Sequence, residues 1–391
     1  MRISFDNKVF ILSCTLFYLM GLIPAFAGEY LSICRFIMAG AILTQTYLII
    51  KEYALPSCSK FNNFVRFYLI VYVITGIPYI LQGSWGESNF PVDFAAFGFL
   101  IIGWRFYEIP VKIWKIALFS IFILTLLCFV YTKQWETMML VASYDKGLGH
   151  ADYSTYAYMM VFASFVTPAT LIADRYGFYE KYRILFYVGI GLACLICLIT
   201  QKRALMLDLS LLLLYVFALR LNKISLKYLF SLIALFFVLS YLLRFIGIDV
   251  LTTLINGIFD RYQDTSENVA EFDRLVEMNK WLESASPIDI IFGSGLGSFQ
   301  KVLSFTNYHL HLGWPNLVYK GGLLLAIMIG FSFIRNIRFS LRNFNNQKYK
   351  AILFLTILTA IHLMHSPAWG YSIDAMALSM VIYSRNKIFQ I

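Results

Sequence analysis

Charged residues are scarce in this chain. Only 14% of its 391 residues are Asp, Glu, Lys or Arg, whereas 60% are hydrophobic and the mean hydropathy is +0.70. A soluble domain carries about 25% charged residues, which help to cover its surface. The composition therefore excludes a soluble cytosolic enzyme, a disordered tail and a nucleic-acid-binding protein built on basic patches. The 6 cysteines imply no disulfide scaffold.

The sequence contains many long runs of apolar residues. A transmembrane helix needs about 20 mostly apolar residues, and the runs of this length predict an all-α polytopic membrane protein with about 12 transmembrane helices. The predicted spans are 9–27, 31–50, 64–82, 90–104, 111–131, 155–173, 183–200, 204–220, 226–246, 314–334, 350–365 and 369–384. The chain then divides into helices 1 to 9 (1–246), a large outer loop with short helices (247–313) and helices 10 to 12 (314–391).

The basic residues predict the orientation. When the gaps between spans are assigned alternately to two sides, 21 of the 32 Lys and Arg residues fall on one side. An excess of Lys and Arg marks the cytoplasmic side of a membrane protein. We therefore expect both termini to be cytoplasmic, and we interpret the net charge of +10 as topology rather than nucleic-acid binding.

The large outer loop contains a predicted helix and a glycine-rich turn. Between Val269 and Leu282, apolar residues recur with a helical period. Gly293, Gly295 and Gly297 follow in a G-x-G-x-G pattern without the βαβ unit that a nucleotide-binding loop requires. We expect these glycines to let the loop turn sharply and bring its backbone close to another segment.

Three arginines on the outer side are candidate anion-binding residues. Arg203 lies in the short turn between the seventh and eighth spans, Arg274 lies on the predicted loop helix, and Arg261 precedes that helix. The planar guanidinium group of arginine suits phosphate oxygens. The alternatives are an interfacial anchor for Arg203 and a solvated helix face for Arg274.

All 5 histidines fall on the outer half of the predicted topology. His309 and His311 immediately precede the tenth span, and His365 lies at the outer end of the eleventh. Histidine has an ordinary pKa that suits proton transfer near neutral pH. The chain has no D-x-D motif, and we expect neither a metal site nor a cofactor.

The second half of the chain contains an ordered set of features: TQKRA (Thr200–Ala204) at the mouth of a span, the long loop after the ninth span, Arg274 on its helix, PIDIIFGSGLGSF (Pro287–Phe299), and His311 ahead of a span that contains Gly322. In this ordered set the chain resembles the bacterial O-antigen polymerase and O-antigen ligase superfamily. The first half matches only in topology.

The resemblance implies an inverting, metal-independent glycosyltransferase with a GT-C-like helical bundle in the bacterial inner membrane. The donor would be a glycan on undecaprenyl diphosphate at the periplasmic face. Arg203 and Arg274 match the arginines that contact the diphosphate, and His311 matches the histidine that activates or orients the acceptor hydroxyl. We place Arg261, His309 and His365 in the substrate-binding set. The implied partners are lipid-linked oligosaccharides, membrane lipids, a flippase and a chain-length regulator, with no nucleic acid.

Within the superfamily, the residues favour a polymerase of repeat units of O-antigen or capsular polysaccharide. Ligases especially have a small polar residue after the histidine and a G-x-x-G ending, whereas this chain has Leu312 and Gly322 followed by three leucines. The alternatives are a ligase that transfers finished polymer to lipid A core, and a polysaccharide transporter or flippase.

Overall fold

The computed structural model is predominantly helical in the part of the chain that it describes. That part comprises residues 4–22, 31–51, 67, 70, 103–131, 163, 165–200, 203–220, 238, 241, 273–295, 300–302, 305–307, 313–365, 380 and 381. The helices are α1 (Phe5–Leu22), α2 (Leu31–Lys51), α3 (Val111–Tyr131), α4 (Arg183–Thr200), α5 (Arg203–Arg220), α6 (Asp273–Ser284), α7 (Pro287–Phe292), α8 (Gly313–Arg342) and α9 (Gln347–His365). Residues 165–175 are helical as well. Short 3-10 turns cover Gly103–Tyr107 and Glu180–Tyr182.

Helices α1 to α5, α8 and α9 coincide with predicted apolar segments, and their helical nature is confirmed. The third, fourth, ninth and twelfth predicted spans lie largely outside the described residues. The loop helix predicted over 269–282 is confirmed in its described part as α6. A strand pair that the sequence did not predict follows α7, with β1 (Gln300–Val302) antiparallel to β2 (Phe305–Asn307).

The helix boundaries differ from the prediction, notably at the start of α1 and at the end of α8. Helix α1 begins at Phe5 rather than at residue 9, because Ser4 Oγ accepts the Asn7 N–H at 3.2 Å and Asp6 lies in the positively polarised first turn. Helix α8 continues to Arg342 rather than ending at 334, and Gly322 interrupts it with φ 77° and ψ 168°. The predicted tenth span is therefore a broken helix.

A polar cluster joins the start of α1, the end of α2 and the turn Gly103–Tyr107. Lys51 Nζ lies 2.7 Å from Asp6 Oδ2, and Asn7 Nδ2 donates to Glu108 Oε2 at 2.9 Å. Arg105, which is buried, donates to Asn7 Oδ1 and lies 3.7 Å from Asp6. The hydrogen bond with Asp6 raises the pKa of Lys51. The cluster therefore ties three segments that are far apart in sequence.

Next to the polar cluster, aromatic residues pack together in an apolar core. Phe10 meets Phe106 edge to face at 4.9 Å, and Trp114 stacks on Tyr176 at 5.4 Å. Trp114 Nε1 and the Tyr176 hydroxyl each donate to the Phe106 carbonyl at 3.0 Å. Burial raises the pKa of Tyr176, so its hydroxyl stays neutral and remains a donor.

Helix α8 has an exposed face that is apolar. Among the described residues it is the one helix that is long and apolar enough, by length and composition alone, to cross a membrane. Leu323, Ile327, Phe331 and Ile334 are exposed and recur at helical spacing along one face. On a helix of a soluble protein this face would carry polar side chains.

The chain forms two compact units. The first unit comprises Met1–Leu118, Leu171–Phe178 and Asp273–Ile391, and the second comprises Phe119–Thr170 and Tyr179–Phe272. Within the second unit α4 packs against α5. Within the first unit α1 packs against α2, α7 against α8, and α8 against α9.

Candidate functional site

The loop helices α6 and α7 are joined by a tight, self-capped turn. Ser286 Oγ accepts the Asp289 N–H at 3.2 Å, while Asp289 Oδ2 accepts the Ser286 N–H at 3.0 Å. This reciprocal pair is a capping box, and Pro287 occupies the first turn, where its missing N–H costs nothing. A six-residue helix is thus fixed in place by its own sequence.

The glycine-rich turn after α7 docks on the break in α8. Ser294 N–H donates to the Tyr319 carbonyl at 2.7 Å, and Gly295 N–H donates to the Lys320 carbonyl at 3.2 Å. In a continuous helix these two carbonyls would accept the amides of residues 323 and 324. The break at Gly322 frees them, and the loop backbone supplies replacement donors.

The two backbones approach so closely that only glycine fits on either side. Gly293 and Gly322 both have positive φ with extended ψ, a region that is essentially restricted to glycine. A Cβ atom on Gly293 would lie 2.6 Å from Gly322 N, and one on Gly322 would lie 2.5 Å from the carbonyl carbon of Phe292. The predicted sharp turn and close approach are confirmed for Gly293 and Gly295, while Gly297 lies outside the described residues.

An aromatic contact fastens α6 to the first half of α8. The Trp281 and Tyr319 rings meet edge to face at 5.6 Å, and both side chains are buried. Ala285 and Val318 pack around them. Trp281 Nε1 is buried and has no hydrogen-bond partner among the described residues. We call the contacts of Trp281, Gly293–Gly295, Tyr319, Lys320 and Gly322 the loop junction.

Lys320 is a charged residue at the loop junction that the sequence analysis missed. It is only 1% exposed, and its Nζ lies 5.0 Å from the centre of the Tyr319 ring. Asn316, one turn earlier on the same helix face, is buried as well. In the sequence, Lys320 is the only Lys or Arg between 313 and 334. This was a signal that could have identified it, because placing an ionisable side chain inside an apolar span costs free energy. A lysine in the last turn before the break also complements the negative end of that half-helix.

The described residues locate some of the predicted site residues. Arg274 lies in the first turn of α6 in the first unit, whereas Arg203 begins α5 in the second unit. His365 ends α9. The structure brings the helix that carries Arg274 against α8, which begins two residues after His311. The predicted residues that lie outside the described residues are Arg261, His309 and His311.

No group of three or more His, Cys, Asp or Glu side chains that could hold a metal ion occurs among the described residues. The chain matches no protein-family model and no curated protein sequence in comparisons with known proteins. The resemblance to the polymerase and ligase superfamily therefore rests on the quoted motifs themselves.

Proposed function

We propose that this protein is a glycosyltransferase that polymerises oligosaccharide repeat units carried on undecaprenyl diphosphate, at the periplasmic face of the bacterial inner membrane. The loop junction is the observation that carries this proposal. It joins the loop helix with Arg274 to the helix that follows His311. An anion-binding group and a proton-accepting group are then carried by two segments that are held together.

The proposed chemistry is an inverting displacement without a metal. The acceptor hydroxyl attacks the anomeric carbon of the donor sugar, and the bond between that carbon and the diphosphate oxygen breaks. The diphosphate leaves with the electron pair, and its charge is offset by Arg203 and Arg274. The hydroxyl proton passes to His311 as the new glycosidic bond forms.

The proposal includes a membrane bundle with about 12 spans and cytoplasmic termini. The apolar exposed face of α8 supports it, because hydrocarbon is the solvent that such a face suits. Contacts between predicted cytoplasmic segments support their placement on one and the same side of the membrane. The polar cluster joins Asp6, Lys51 and Arg105, and Gln347 Nε2 donates to Asp174 Oδ2 at 2.8 Å.

Broken helices such as α8 also occur in transporters, where the unwound backbone binds the substrate. Here the freed carbonyls of Tyr319 and Lys320 already accept loop amides. The break therefore binds the loop backbone rather than a substrate. This favours an enzyme whose loop contributes to the active site over a transporter.

A chromosomal deletion tests the function directly. Surface glycan from the deletion strain and from a complemented strain is separated by gel electrophoresis. We expect the deletion to leave glycans with a single repeat unit. A bare lipid A core together with lipid-linked polymer would identify a ligase instead, and unaltered glycan chain length would contradict both enzymes.

A further inference from the structure

Helix α7 presents one apolar face to its surroundings. Ile288, Ile291 and Phe292 are 69%, 47% and 54% exposed. Their spacing of three and four residues places them on the same face of the helix. Exposing three large apolar side chains together to water is unfavourable, and such patches mark binding surfaces.

The charge on α7 is kept away from this face. Asp289 is its only charged residue, and both its backbone N–H and its carboxylate are engaged with Ser286 in the capping box. Proteins that bind the loop through charge would find no complementary group on these six residues. The face suits an apolar, non-directional partner.

The backbone at the end of α7 lies against α8 at the point where the exposed apolar residues of α8 begin. Gly322 packs against the backbone of Ile291 and Phe292, and the exposed stripe of α8 begins at the next residue, Leu323. Exposed apolar side chains therefore lie on both segments where they meet, on α7 and on the helix that we propose to face the acyl chains.

From this juxtaposition we infer that α7 lies in the outer membrane–water interface, with Ile288, Ile291 and Phe292 inserted among the lipids. The inference rests on the proposed membrane architecture and extends it to the loop. Amphipathic helices bury an apolar face at the boundary between headgroups and acyl chains in this way. Because a lipid diphosphate lies at the same depth, an anchored α7 keeps the Arg274 helix level with the leaving group.

Site-directed spin labelling tests the depth of α7. The full chain, with its native cysteines replaced, is reconstituted into vesicles of phosphatidylethanolamine and phosphatidylglycerol. A nitroxide is attached in turn at Ile288→Cys, Phe292→Cys, Ile327→Cys and Glu283→Cys. Ile327 reports on the exposed face of α8, and Glu283 is an exposed loop position. The accessibility of each label to oxygen is compared with its accessibility to a water-soluble nickel chelate.

We expect the ratio of oxygen to nickel accessibility at Ile288 and Phe292 to be several-fold higher than at Glu283 and to approach that at Ile327. If Ile327 is oxygen-accessible while Ile288 and Phe292 match Glu283, the interfacial helix is wrong and the membrane architecture stands. If Ile327 is also open to nickel, the membrane architecture itself is wrong. Exclusion of both reagents with spin–spin broadening at Ile288 would show a second copy on this face and would overturn the inference.

Discussion

At the scale of single residues, arginine and histidine have different tasks in the proposed reaction. In that proposal, Arg203 and Arg274 bind negative charge through the paired donors of the guanidinium group, whereas His311 accepts a proton. Lys320 differs from all three, because its ammonium group is buried at the loop junction. The proposed roles of the arginines and of His311 lead to different expected effects of substitution.

Replacing Arg203 or Arg274 with alanine should slow polymerisation strongly without preventing membrane insertion. A hydrogen bond to a charged group contributes about 1.5–3 kcal/mol, so each loss should slow polymerisation by about 10- to 150-fold. Lysine should restore little, because it keeps the charge but loses the bidentate geometry. The assay is polymerisation of a purified lipid-linked repeat, with Lys280→Ala on α6 as the matched control. Full activity in both alanine variants would reject the assignment.

The two neighbouring histidines are predicted to differ. If His311 accepts the acceptor proton, His311→Ala and His311→Gln should both lower the rate by about 10²–10⁴. His309→Ala should keep most of the activity, because a helical continuation places the two side chains on opposite faces. Appreciable activity in His311→Gln would indicate an orienting role. A dead His309→Ala variant beside an active His311→Ala variant would contradict the motif alignment.

At the scale of elements, the loop and a broken helix complete each other. The break in α8 leaves carbonyls that need donors, and the turn after α7 has amides to give. A helix-breaking glycine is tolerated within a span where neighbouring groups satisfy the freed backbone. The loop junction therefore holds α7 at the point where α8 would otherwise be weakest.

Alanine at Gly293 or Gly322 should undock the loop. The strain of the glycine-only conformation costs on the order of 1–3 kcal/mol, and the added Cβ also collides with backbone atoms. Two controls separate these effects. Gly177→Ala imposes positive φ without a close neighbour, and Gly191→Ala imposes neither.

Hydrogen exchange of the α7 amides measures undocking in these variants. We expect fast exchange in Gly293→Ala and Gly322→Ala, and wild-type exchange in Gly177→Ala and Gly191→Ala. Wild-type protection of α7 in Gly293→Ala would show that the loop is not held by this contact.

At the scale of the whole molecule, the distribution of basic residues predicts which groups face the same side of the membrane. Glu283 belongs to the loop predicted to lie outside, and Asn345 joins α8 to α9 on the predicted cytoplasmic side. Both residues are exposed. They are therefore suitable reporters of topology.

A cysteine at Glu283 should react with an impermeant thiol reagent in intact spheroplasts, and a cysteine at Asn345 should react only after the membrane is opened. The variants are made in a background without the native cysteines, which serves as the control. The reverse labelling pattern would overturn the orientation and, with it, the placement of Arg274 at the periplasmic face.

The sequence by itself predicted the apolar helices, because the length and the apolar composition of a run of about 20 residues are both read directly from the sequence. It also predicted α6 from periodicity and the sharp turn at Gly293 and Gly295 from their spacing. It marked Arg203, Arg274 and His311 by residue type and resemblance alone.

Only the tertiary structure decided what the loop glycines approach. The break at Gly322, the carbonyls that accept Ser294 and Gly295, and the burial of Trp281 and Lys320 depend on two segments that meet in space. No local pattern contains such a pairing, because the amides of one segment donate to carbonyls of another segment that is distant in sequence. For the same reason the sequence shows Lys320 as a lone charge in an apolar segment but does not show its position at the loop junction.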